Sequence, residues 1–387
     1  MKRHLTYIII GLLAVCSSMP TNAQTLSEEA EISLLTCAPG VPLYFHYGHS
    51  AIRVRDNACT DPMGNTIAID WTFNYGIFDF NTEHFYLKFL RGETDYMLGL
   101  EYTDGFLLGA AYDDRHVSFQ PLLLTQEEKQ KILDALIENH MPQNRFYRYN
   151  FVYDNCATRP WRIIRRSTGI GEAEGMADCS WRQACDYYSG KYSWGKYGIN
   201  LLFGYEADRQ MTREESLFLP ENLMNYVSEQ GLTDNEDIRP FVPRNGTFMT
   251  SPELMTIILL LLLAGLTAWD WAKKRYATWV ADIMIAVAFL ILGCIITFMY
   301  FFSCHPFVGS NMLVLLLNPA WLVVLVLLCR QSWRGWLINH ATWMLGYATI
   351  AVAIMLFLGQ TLHPILSIIF LLPLRWYLID KRISKKN

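Results

Sequence analysis

The sequence has no surplus of positive charge: 32 Lys and Arg stand against 36 Asp and Glu, a net charge of −4 over 387 residues. Nothing global therefore draws it to nucleic acid. It has no internal repeat and no low-complexity tract, so neither a solenoid nor a disordered scaffold is indicated. Its nine histidines do not cluster with carboxylates or cysteines at ligand spacing, and neither a metal nor another cofactor is expected. Charged residues make up only 18% of the chain, while apolar residues reach 52%, high for one water-soluble globule. The apolar excess is concentrated in residues 5–19 and beyond residue 253.

The N-terminus combines a basic start (Lys2, Arg3), a short apolar run and small residues before Gln24. This reads as a secretory signal peptide over 1–23, with cleavage after Ala23. Cys16 raises lipoprotein-type processing, against which the bulky Val15 argues. Apolar stretches at 254–269, 279–302, 311–328, 341–358 and 363–379 predict an α-helical transmembrane domain over 251–387 with about five helices. The links between them alternate in charge. The first holds Lys273, Lys274 and Arg275, and the third Arg330 and Arg334. The tail holds Lys381, Arg382, Lys385 and Lys386, whereas 303–310 and 359–362 hold no Lys or Arg. Basic links belong in the cytoplasm, so residues 24–250 lie outside. The chain reads as a multi-pass protein of the inner membrane with a periplasmic N-terminal domain. Trp269, Trp271, Trp279, Trp333, Trp336 and Trp376 near the proposed ends suit interfacial anchors.

The exterior region 24–250 reads as one α+β domain. Its cysteines are Cys37, Cys59, Cys156, Cys179 and Cys185, an odd number for an oxidising compartment. Cys37 with Cys59 and Cys179 with Cys185 are the economical pairings, leaving Cys156 free. LYFHYGHSAIRV (43–54) and TIAIDWTFNY (66–75) read as strands around a turn-rich stretch. A turn symmetric about Thr60 brings Asp70 beside His49, where a carboxylate could fix the imidazole tautomer. Helices are expected at 81–90 and, behind a Thr125–Glu128 capping box, to about Asn139. Strands are expected at 116–122 and 146–153. Asp154-Asn155-Cys156 precedes a helix near Thr158, and a cysteine there feels the positive dipole end, which lowers its pKa. Arg159, Arg162, Arg165 and Arg166 follow, either as a solvated charged face or as a site for phosphate head groups.

A histidine strand, a polar residue on the next strand and a cysteine at a helix start resemble the circularly permuted, NlpC-type papain-like proteins, among them lecithin:retinol acyltransferase. FHYGHSAIRV, IDWTFNYGIFDF, YRYNFVYDNCATRPWRII and GYEADRQMTREESLFLP are similar to the Lnb N-terminal periplasmic domain, and CHPFVGSNMLVLLLNPAW to that family's membrane half. The resemblance implies a lipoprotein N-acyltransferase, with a phospholipid as acyl donor and a diacylated lipoprotein as acceptor. It implies Cys156 as nucleophile and His49 as base; Asp70 as third member rests on the hairpin geometry. Two other readings stay open: a membrane-tethered cysteine amidase or peptidase acting on peptidoglycan, and a non-catalytic transporter or assembly factor. The scarcity of ionisable residues in the spans, with Asp282 and His305 the notable ones, argues against the last. His305 is also a candidate lipid or acceptor contact, and Cys304 a competing thiol. Tyr205 to Arg209 has no role beyond ion pairing in this reading.

Overall fold

The computed structural model describes residues 24–234, 239–243 and 245–384. The signal-peptide residues, Cys16 and the terminal Lys385 and Lys386 lie outside these. The periplasmic α+β domain is built on a six-stranded antiparallel sheet in the order β5-β1-β2-β3-β4-β6. Its strands are β1 (Glu31–Cys37), β2 (His49–Thr60), β3 (Thr66–Ile77), β4 (Asp95–Tyr102), β5 (Val117–Pro121) and β6 (Phe146–Arg148). The β2–β3 hairpin turns at Asp61–Asn65, where Asp61 Oδ1 accepts the N–H groups of Met63 and Asn65. Thr60 pairs with Thr66, so the turn is centred three residues later than a turn about Thr60. Beyond a bulge at Asp56/Cys59, the register runs Arg55↔Asp70 to Ile52↔Phe73.

Alternation along β2 divides its neighbours between two layers. Ile52 and Val54 join Phe73 under the helices Gln126–His140 and Thr158–Thr168, burying Ile132, Leu133, Leu136, Trp161 and Ile164. Ala51 faces the other way, with Leu35 and Cys37, against Phe106 and Ala110 of helix Thr103–Tyr112. The expected capping box starts helix Gln126–His140: Thr125 N–H donates to Glu128 Oε2 at 2.7 Å while its hydroxyl accepts Glu128 N–H. The helix expected at 81–90 is shorter, Phe85–Arg91, and the extended segment after Phe146 leaves the sheet at Arg148. None of the described cysteines is disulfide-bonded, so the two expected pairings are not made.

The membrane half departs from five equal spans. Helices Pro252–Lys273 and Trp279–Phe302, of 22 and 24 residues, are long and apolar enough to cross a bilayer. Helices Gln331–Asn339 and Ala341–Phe357 pass as a third span only as a pair bent by 54°. The stretch expected at 311–328 opens instead with 3₁₀ turns, Val308–Ser310 and Met312–Leu315. The helix that follows, Trp321–Cys329, has 9 residues, about 14 Å against a ~30 Å core. Asn318 explains the break: its Nδ2 donates to the Val314 and Leu315 carbonyls, its Oδ1 accepts Ala320 N–H, and Pro319 follows. A β-carbon on Gly293 would lie 2.6 Å from Asn318 N, so the glycine lets this turn press against the second span. The last helix, Leu366–Ser384, carries Pro373 and a fully buried Arg375. Arg375 Nη2 donates to Asp270 at 2.8 Å and Nε to Asp282 at 3.1 Å, linking the last helix to the first two. Asp282, one of the ionisable residues noted in the spans, is buried in this cluster and also accepts the Trp376 indole N–H at 2.8 Å.

The two halves are hydrogen-bonded together. Cys304 N–H donates to Arg91 O at 2.8 Å, His305 Nε2 to Phe89 O at 2.6 Å, and Gly204 N–H to Phe307 O at 2.9 Å. Asp208, itself bonded by Arg182, accepts the Thr361 hydroxyl at 2.6 Å. The 205–209 stretch therefore belongs to the joint between the halves.

Candidate active site

At the end of β2 and β3 lies a cavity of about 700 Å³, lined chiefly by apolar groups. Its walls come from both halves: Phe106, Tyr149 and Phe218 from one, Met299, Pro306, Phe307 and Val308 from the other. Cys156 and His49 both line it. They converge over Gly76, where β3 bulges and φ is +99°. A β-carbon placed there would lie 3.8 Å from Cys156 Cβ and 3.9 Å from His49 Cε1. Glycine is favoured there by the backbone angle, while the two side chains stand at ordinary contact distance from the place a β-carbon would take.

Cys156 is held in the turn before helix Thr158–Thr168 by Asn155. Asn155 Oδ1 accepts the N–H groups of Ala157 and Thr158, both at 2.9 Å, and its Nδ2 bonds the Phe151 and Phe218 carbonyls. The backbone N–H groups of Ser50 and of Cys156 itself favour the thiolate form. Arg115 adds a favourable charge, yet burial dominates and pushes the thiol up, not down as a helix terminus alone suggests. Cys37, a second thiol in the cavity, is pushed up by burial to about 12. Cys304 is exposed and does not line the cavity.

His49 Nε2 lies 2.7 Å from Asn74 Oδ1, and Asn74 Nδ2 donates to Glu101 Oε1 at 3.0 Å. A carboxylate accepts, so it fixes the Asn74 amide with its oxygen toward His49. Nε2 then carries the proton, and Nδ1 keeps a lone pair for the thiol. Burial lowers the His49 pKa to about 4, so the ring is a neutral base at neutral pH. Burial also raises the Glu101 carboxyl.

Asp70 is not part of this chain. Its carboxylate forms a bidentate pair with Arg53, at 2.7 and 2.6 Å, and its Cα pairs with Arg55. It shares a sheet face with Asn74 but lies four residues along the strand, about 13 Å away. The arginines after Cys156 also lie elsewhere. Arg159 grips Asp154 at 2.9 and 2.7 Å and covers the Tyr147 ring, and Arg162 takes the same carboxylate. Arg165 pairs with Glu214 and Glu172, while Arg166 is exposed. None of them lines the cavity. His305 does, although its Nε2 is engaged by Phe89 O. Asn74, Glu101 and Arg115 were missed in the sequence; alternation from Asp70 would reach Asn74 once the turn was correctly centred. Among the described residues no group of His, Cys, Asp and Glu could hold a metal.

Comparison with known families gives two matches in chain order. Residues 19–183 match the Lnb N-terminal periplasmic domain and residues 244–386 the Lnb transmembrane domain. No curated protein and no solved structure matches the chain.

Proposed function

The chain belongs to the Lnb family of lipoprotein-modifying membrane proteins, and from that premise we propose that it is a lipoprotein N-acyltransferase working through a Cys156 thioester. The acyl donor is a phospholipid and the acceptor the α-amine of a diacylglyceryl-cysteine lipoprotein. The observation that carries this reading is the meeting of Cys156 and His49 over Gly76 in an apolar cavity walled by both halves. An apolar cavity roofed partly by membrane-half residues suits an acyl chain better than a cell-wall peptide, which ranks the amidase reading second. The short helix Phe85–Arg91 adds support. It exposes Tyr86, Leu87, Phe89 and Leu90 beside the outer end of span Trp279–Phe302, whose Phe301 and Phe302 are also exposed. Such a face lies naturally in lipid. The permuted papain-like relationship is part of the same proposal, since the histidine strand precedes the cysteine helix.

In the first half-reaction His49 Nδ1 takes the Cys156 proton as sulfur attacks a glycerol ester. The S–C bond forms, the C–O bond breaks, and His49 returns the proton to the lysophospholipid oxygen. In the second, the lipoprotein amine attacks the thioester. The C–N bond forms, the C–S bond breaks, and the amine proton passes through His49 to the sulfur. No co-reactant is needed. Two neutral groups start the reaction, and the Ser50 and Cys156 N–H groups stabilise charge as it builds on sulfur.

The test weighs the N-terminal peptide of a diacylated lipoprotein after incubation with phospholipid and membranes carrying wild type or Cys156→Ser. One acyl mass added to the α-amine by wild type alone supports the reading. Cleavage of a cell-wall peptide without acylation replaces it with the amidase, and acylation by Cys156→Ser removes Cys156 as nucleophile.

A further inference from the structure

The charge pattern offers the arginines after Cys156 as a site for phosphate head groups, but Asp154 and Glu214 occupy three of them and none reaches the cavity. One other cation does. Among the described residues Arg115 is the sole Lys or Arg lining the cavity, and it is only 8% exposed. Its Nε donates to Ala38 O at 2.9 Å, and its guanidinium lies 4.1 Å from the centre of the Phe45 ring. Gly40 makes room for it, since a β-carbon there would be 3.2 Å from Arg115 Cδ. These contacts fix the side chain without placing a carboxylate in ion-pair range; Asp113, which also lines the cavity, acts on it only through its field. Nη2 is buried without a hydrogen-bond partner, and among the described residues Arg115 makes no ion pair. A buried guanidinium with no carboxylate bonded to it is costly. A planar donor fork held rigidly in a cavity is suited to a phosphate or carboxylate oxygen.

Resting on the acyl-transfer reading, we propose that Arg115 is the binding residue for the phosphodiester of the acyl donor. In a glycerophospholipid that anion is joined to the ester-bearing glycerol, so gripping it brings an ester carbonyl toward Cys156. Arg115 and Cys156 line the same cavity, as that arrangement requires. The acceptor lipoprotein carries a diacylglyceryl group without phosphate, and its amine becomes cationic when protonated. Arg115 therefore favours the donor over the acceptor in the resting site. It acts in thioester formation and not in transfer to the amine.

The experiment uses the full chain in mixed micelles and follows the acyl adduct on Cys156 by intact mass. The donors are phosphatidylglycerol and a diacylglycerol with the same acyl chains. Wild type is expected to acylate at least tenfold faster from phosphatidylglycerol. Arg115→Gln should lose that preference, its rates from the two donors becoming equal, chiefly through a raised KM for phosphatidylglycerol. Arg115→Lys should recover part of the preference. Glycerophosphoglycerol should compete with phosphatidylglycerol in wild type, and glycerol should not. If Arg115→Gln loses both rates, the wild-type preference and this competition decide. Equal rates from both donors in wild type, or a preference retained by Arg115→Gln, overturn the proposal and leave acyl transfer standing. So does competition by inorganic phosphate without donor preference, which marks a site for free anions. Absence of an adduct from either donor overturns the acyl-transfer reading itself.

Discussion

His49 Nε2 meets Asn74 Oδ1 at 2.7 Å, and that bond, not one to a carboxylate, orients the imidazole. An amide oxygen fixes the tautomer without supplying a full negative charge. The buried ring consequently stays neutral rather than being drawn into an imidazolium at rest.

Asn74→Ala should therefore lower kcat for thioester formation by about 10²-fold or more, on the scale of general acid–base catalysis. Asp70→Asn should leave kcat within about twofold and cost at most ~1 kcal/mol, because it disturbs a part-exposed pair with Arg53. Single-turnover acylation of the two variants, beside their thermal unfolding, separates these outcomes. Equal loss of kcat in Asp70→Asn would restore the carboxylate to the catalytic group.

The thiol should be largely protonated at neutral pH. Burial raises the Cys156 pKa above its ordinary 9.0, so the thiolate fraction climbs about tenfold per pH unit between 7 and 9. Alkylation of Cys156 by iodoacetamide, read by peptide mass, should climb with the same slope and show no plateau between pH 5 and 7. A plateau there is the mark of a preformed thiolate–imidazolium pair and would contradict the resting state described. On the acid side, His49 must be unprotonated to act. Thioester formation should persist below pH 6 and fail near pH 4.

Gly204→Ala should loosen the joint between the halves. Its β-carbon would sit 2.0 Å from Ser310 C and 2.3 Å from Asn311 N, backbone atoms that cannot rotate away. A loss of about 1–3 kcal/mol is expected, as for overpacking elsewhere. Acyl transfer should fall with it, since Phe307 and Val308 of the cavity wall adjoin the displaced segment. Thermal unfolding of the purified variant, with its activity at low temperature, measures both effects.

Arg375→Leu should strip Asp270 and Asp282 of their common partner. Removing one member of a buried charge cluster costs about 3–5 kcal/mol. Arg375→Lys should recover only part, because a single ammonium cannot bond both carboxylates with a guanidinium's spread. The yield of folded protein in mild detergent, compared across the two variants, checks the order.

Cys156 and His49, the proposed nucleophile and base, were legible as neighbours of one site because each sits in a short local pattern, a strand for His49 and an Asx-type turn before a helix for Cys156. The third member was not, because its place depended on the centre of a turn. Asp61 sets that centre at residues 61–65, and a shift of three residues at the turn moves the cross-strand partner by about twice as many. Arg115 was invisible for another reason: its role rests on what surrounds it, and Ala38 and Phe45 reach it only through the fold. In the membrane half, hydropathy located the apolar segments but could not show that Asn318 and Pro319 break one of them. The match of both halves to Lnb domains supports the periplasmic and membrane organisation at this coarser level.

The Arg375 cluster also dictates an order of assembly. Translation delivers Asp270 and Asp282 about a hundred residues before the arginine that joins them. The first two helices can thus enter the bilayer as a hairpin with two acidic groups near its closed end. The last helix brings its guanidinium into lipid only where those acids already wait. A chain that stopped before residue 375 would leave the hairpin without its counter-charge. The cluster makes completion of the last helix a condition for a settled membrane domain, and through the joint at Gly204 and Thr361, for a closed cavity above it.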